Sequence, residues 1–87
     1  MRALRLTSPP MRGADVKAAQ ALLIAKGYLA LNATDGVYGP VTAGAVKTAR
    51  YRLGMQLKDC TQVYDQTLDA FLRGKREQTP LMRRRAQ

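Results

Sequence analysis

The sequence predicts an all-α fold: a small three-helix bundle over residues 13–74, with an extended arm over 1–12 and a basic tail over 75–87. Three observations predict it. Apolar residues recur at helical spacing in two long stretches and one short one. Each stretch runs out at a glycine, Gly27, Gly54 and Gly74 in turn, the residue that most readily closes a helix C-terminus. With 87 residues, the chain is one domain near the lower size limit for a self-sufficient core.

The arm alternates Leu4 and Leu6 about Arg5, then meets Ser8-Pro9-Pro10, which forbids a helix. That alternation suits an extended strand laid on a neighbouring chain or on its own bundle. Gly13 ends the arm, and Asp15 suits the first turn of a helix. Val16, Ala19, Leu22 and Leu23 form its apolar face, and Tyr28 and Leu29 fold back behind Gly27. A loop follows and ends in Asp35-Gly36-Val37-Tyr38-Gly39, a turn signal. Pro40 suits the first position of the second helix, where its missing N–H has no intrahelical partner. Thr42, Ala45, Val46, Ala49 and Leu53 continue that helix. After a second loop over 55–65, Leu68, Phe71 and Leu72 predict a third helix over about 66–73. The remainder reads as a polar basic tail broken by Pro80.

Composition narrows the chemistry. The chain has no histidine and one cysteine, Cys60, so Ser/His and Cys/His nucleophile pairs, His-based zinc sites and an internal disulfide are excluded. Five of the six acids are Asp, and the sixth, Glu77, sits in the basic tail, which argues against a glycosidase carboxylate pair. No catalytic residue, metal ligand or cofactor is expected. Fifteen Lys and Arg against six acids give +9 and a pI near 10.5. Six of those cations lie in residues 73–87, beside a single anion. Such asymmetry points to an acidic partner or to a merely solubilising tail. Arg83, Arg84 and Arg85 suit phosphate or carboxylate contacts. No aromatic interleaves them, so base stacking is not indicated, and no helix-turn-helix signature supports DNA binding.

The stretch from Asp35 to Thr42 carries the most information. Gly36 and Gly39 allow a tight turn, and Pro40 presets the helix entry, so the first-turn N–H groups of the second helix face whatever lies above. Carboxylates fit such an end, and Tyr38 offers an apolar face with a hydroxyl. The same residues equally suit a turn that only enters a helix, with Asp35 satisfying turn N–H groups and Tyr38 packing on the core. The run Asp59–Thr67 echoes Asp35–Thr42 in order: acid, turn, apolar–aromatic pair, Thr, helix.

Together these pieces resemble the peptidoglycan-binding-like domain, a small three-helix module usually attached to cell-wall hydrolases. The resemblance covers about residues 4–73. It rests on Leu4-Arg5-Leu6, Gly13-Ala14-Asp15-Val16, Ala19-Gln20, Leu23, Gly27-Tyr28, Asp35-Gly36-Val37-Tyr38-Gly39-Pro40-Val41-Thr42 and Ala45-Val46. Three departures stand out. Ala19 replaces a usual Leu, Ala49-Arg50 replaces a usual Phe-Gln, and the last loop reads Asp59-Cys60 and Asp65-Gln66 where Asp-Gly and Gly-Pro are usual. The first two shrink the core, so the bundle is expected to be packed partly by the arm or by another chain.

The resemblance implies a non-catalytic module that binds peptidoglycan or a muropeptide. Asp35, Gly36, Tyr38, Gly39, Pro40 and Thr42 are then the candidate ligand site. The alternative is a structural or decoration protein of a phage particle that uses the fold as a scaffold. Leu4, Leu6, Arg83, Arg84 and Arg85 would then contact neighbouring virion proteins through 1–12 and 75–87. The N-terminus lacks a secretory apolar run and no stretch suits a membrane span. The expectation is synthesis in the cytoplasm and action at the bacterial wall or in a virion.

Overall fold

The computed structural model describes every residue from Met1 to Gln87. Four α-helices follow in order: α1 Ala14–Ala25, α2 Pro40–Arg52, α3 Gln66–Leu72 and α4 Pro80–Arg85. A 3-10 turn at Leu57–Asp59 lies between α2 and α3, and α1 packs against both of them. Extended pairing is limited to two isolated antiparallel bridges. No helix is long and apolar enough to cross a membrane.

The three predicted helices form where the sequence places them, and all three end the same way. At α1 the Gly27 N–H donates to Ile24 O and the Tyr28 N–H to Leu23 O; at α2 Gly54 and Met55 do the same to Tyr51 O and Arg50 O; at α3 Gly74 and Lys75 do so to Phe71 O and Ala70 O. This paired closure satisfies carbonyls that the last helical turn leaves free. The α3 start is capped by Asp65, whose carboxylate accepts from the Leu68 N–H at 3.0 Å.

The arm is part of the domain. Leu4 exchanges both backbone hydrogen bonds with Tyr64, at 2.8 and 2.9 Å, and its side chain is fully buried in the core cluster with Val16, Leu23, Tyr38, Val46, Tyr64 and Leu68. Farther along, Arg12 bridges Val37, the Tyr38 N–H donates to Met11 O, and the Gly13 N–H donates to Gly36 O. Of the two expected places for the arm, the domain's own bundle is the one Leu4 occupies. Ala19, Ala43, Ala45 and Ala49 leave the helices short of bulk, and Leu4 from the arm with Tyr38 and Tyr64 from the loops supply it in the same cluster. Leu6, at 45% exposure, stays at the surface.

Residues beyond Gly74 depart from the expectation of an irregular tail. Thr79 caps α4 by accepting from the Met82 N–H at 3.1 Å, Pro80 takes the first helical position, and Met82 is buried. Gln78 Nε2 donates to Leu53 O at 2.7 Å and Arg85 Nε to Gly54 O at 2.6 Å. These are the carbonyls at the C-terminal end of α2, where donors and positive charge are favourable. Order in this segment therefore comes from the chain's own α2 and needs no partner. Arg83 makes its side-chain hydrogen bond within its own segment, to Gln78 O at 3.3 Å, and Arg84 is exposed.

Gly54 is where α4 rests on α2. Its φ is +86°, and a Cβ there would meet Met82 O at 1.7 Å. A backbone atom cannot swing aside as a flexible side chain can. Gly54→Ala is therefore expected to lift α4 off while the body over 1–73 stays folded. Tryptic cleavage within 75–85 should rise at least about tenfold, because proteolysis follows the population of the opened segment. An unchanged cleavage rate would contradict this packing of α4.

Candidate ligand-binding site

The loop that enters α2 is organised by a buried glutamine. Gln20, on α1, has no exposed surface. Its Nε2 donates to Asp35 Oδ1 at 2.9 Å, to Thr42 Oγ1 at 3.0 Å and to Val37 O at 3.1 Å, and its Oε1 accepts from the Gly36 N–H at 2.9 Å. Asp35 also accepts from the Val37 N–H at 3.0 Å. The Val37 N–H first, and the Gln20 amide next, hold the Asp35 carboxyl below the usual carboxylate range. A side chain from the first helix thus fixes the turn that launches the second.

Tyr38 points the opposite way from a ligand platform. It is fully buried, and its hydroxyl donates to Gln62 O. Burial pushes that hydroxyl up to about 12, against the charge of Arg50. Thr42 is buried against Gln20, and Gly36 is buried as well. Of the six motif residues, then, Tyr38 and Thr42 have internal side chains and Asp35 aims its carboxylate into its own loop. Gly39 is half-buried, Pro40 is exposed, and the start of α2 lacks a side-chain cap.

The second loop is organised the same way, by an arginine. Arg50 is 5% exposed. Its Nε and Nη2 donate to Val63 O at 3.1 and 2.7 Å, and its Nη1 donates to Asp59 O at 3.3 Å. It also pairs with Asp65 at 3.1 Å. Tyr64, buried beneath, donates to Asp69 at 2.7 Å. Burial first, and that carboxylate second, push the Tyr64 hydroxyl well above its ordinary value. Arg50 therefore ties down the second loop.

Beside this loop lies a cleft of about 510 Å³, walled by residues 55–67, α3 and α4. Its floor carries Met55, Phe71 and Met82, and its walls carry Gln56, Thr61, Thr67 and Thr79. Five charged groups line it: Arg50, Arg76, Arg85, Asp59 and Asp65. Arg50 and Asp65 neutralise one another, while Arg76, Arg85 and Asp59 take part in no ion pair. The Arg76 guanidinium lies 5.2 Å from the centre of the Phe71 ring, an arrangement that holds a cation over an aromatic face. Cys60 is buried outside the cleft, its thiol facing the carbonyls of Gln56 and Met55.

Sequence reasoning missed this cleft because one wall is α4. The available signal was Thr79-Pro80, a capping residue followed by the imino acid preferred at the first helical position.

The family model described as "Putative peptidoglycan binding domain" matches residues 12–57. No curated protein and no solved structure matches the chain. The matched span runs from the end of the arm through α1, the Gln20-locked turn and α2 to the start of the 3-10 turn. It covers more than half of the chain, and the all-helical fold agrees with it. The chain belongs to the peptidoglycan-binding domain family.

Proposed function

We propose that this domain is a non-catalytic module that binds peptidoglycan, with its ligand in the cleft between the second loop, α3 and α4. The observation that carries this reading is the presence in one cleft of two guanidinium groups and a carboxylate that form no ion pair within the protein. Ligand sites of this size combine an apolar floor with a few converging polar groups. The absence of histidine and the burial of the one thiol favour binding over turnover. A virion scaffold would use the two flanks, 1–12 and 75–87, to contact neighbouring proteins. Leu4, Gln78, Met82 and Arg85 instead pack or hydrogen-bond on the domain itself, which favours the wall-binding reading.

The test is co-sedimentation with purified sacculi. Arg76→Glu should cut retention at least about tenfold, as expected when a charge-assisted contact becomes repulsive, with the far-UV helical signal unchanged. Val41→Glu, at an exposed position in the first turn of α2, should leave retention as it was. The reverse pattern would move the ligand to the start of α2, beside Pro40 and Gly39. No retention of the unmutated protein would overturn the function.

A further inference from the structure

The cleft's leftover charges describe the ligand. Arg50 is occupied by Val63 O, Asp59 O and Asp65, and Asp65 also caps α3. Arg85 gives its Nε to Gly54 O and keeps both terminal amino groups. Arg76 lies on Phe71 with its N–H groups unclaimed by any acceptor. The Asp59 carboxylate is exposed and joins no ion pair; only its main-chain groups are used, the oxygen by Arg50 and the N–H by Gln56 O. What remains is two forked donors, one anionic acceptor and neutral hydroxyls above an apolar floor.

A purely anionic ligand would set its charge against Asp59, and a purely cationic one against two arginines. Like charges brought together in a cleft are costly, which is how charge pattern selects partners. A ligand with carboxylate and ammonium on one small group satisfies all three. We propose that the cleft binds the zwitterionic end of a peptide, with carboxylate on Arg76 and Arg85 and ammonium on Asp59. Within peptidoglycan, and so resting on the wall-binding reading, that group is the side-chain end of a stem-peptide diaminodicarboxylic acid whose amine is not cross-linked. The module would then read free stems in preference to cross-linked ones. Cross-linking turns the ammonium into an amide, which removes the charge that Asp59 selects.

The probes are the tripeptide L-Ala-γ-D-Glu-diaminopimelate and the same tripeptide acetylated on its free side-chain amine, titrated calorimetrically into the full chain. The free form should bind at least about tenfold tighter, the scale of one lost charge-assisted contact. Asp59→Asn should abolish the difference between the two probes, and Arg76→Gln should weaken both. Circular dichroism of each variant should match the unmutated chain, since neither side chain makes a hydrogen bond or ion pair within the domain. Equal affinity for the two probes, or a preference that survives Asp59→Asn, would overturn the proposal. Sacculus co-sedimentation runs alongside. Retention on sacculi with no preference between the tripeptides removes the proposal alone, and no retention removes the wall-binding reading with it.

Discussion

Leu4→Ala is expected to lower the stability of the domain by about 3 kcal/mol, within the range for truncating a buried leucine. For a chain of this size that corresponds to a fall in Tm of about 12–24 °C. The residue lies outside every helix, which makes the size of the effect informative. Its side chain has no exposed surface, and its backbone pairs with Tyr64 in both directions. Ala19, Ala43, Ala45 and Ala49 surround the same cluster with small side chains, so little can collapse into the space that Leu4 would vacate. A site that cannot relax keeps its cavity and loses most. A domain this small holds only about 5–10 kcal/mol in total, and the variant would unfold partly at moderate temperature. Leu6→Ala is the control. Leu6 is 45% exposed, and its change should stay within about 0.5 kcal/mol. Thermal and denaturant unfolding of both variants decide the matter: equal small losses would show that the arm does not complete the core.

The helices were legible because their signals are local. The spacing of Val16, Ala19 and Leu23, the Pro40 entry and the three closing glycines all act within a few residues of where they sit. The destination of Leu4 was not legible. Alternation announces an extended strand but does not say which backbone will receive it, and Tyr64 lies far along the chain. The α4 helix was hidden for a related reason. Only Leu81 and Met82 are bulky and apolar there, too few for periodicity, and its stability comes from carbonyls of Leu53 and Gly54. The turn motif was legible as a motif, but its purpose was not. Aspartate, glycine, tyrosine and threonine serve a ligand or a fold equally well, and the choice was made by Gln20, 15 residues before Asp35. The cleft needed all of these long-range choices at once, since its walls are the second loop that Arg50 ties down and the helix that α2 holds in place.

Gln20→Leu should cost about as much as Leu4→Ala, for an electrostatic reason. The substitution keeps the side chain's approximate bulk and removes every polar atom. The Gly36 N–H, in a buried residue, loses its acceptor, and Thr42 Oγ1 and Val37 O lose their donor. Each orphaned buried group costs about 1–3 kcal/mol, and relaxation of the turn recovers part of the sum. A loss of about 3 kcal/mol is the expected outcome. Gln20→Glu separates charge from packing. It retains an acceptor for Gly36 but places a second carboxyl where the amide now donates to Asp35 at 2.9 Å. Burial and the neighbouring Asp35 charge raise the new group's pKa in the folded state above its unfolded value of about 4.3. A raised folded pKa gives stability that is present below the unfolded value and lost as pH rises through the folded one. Asp35 has the opposite sign in the unmutated chain: its depressed folded pKa gives stability above its unfolded value, lost as pH falls through the folded one. The deficit of Gln20→Glu relative to the unmutated domain should therefore shrink as the pH is lowered from 7 to 5, as the protonated carboxyl regains a donor for Asp35. Denaturant unfolding at the two pH values measures it, and a deficit of the same size at both would show that Gln20 holds the turn by shape alone.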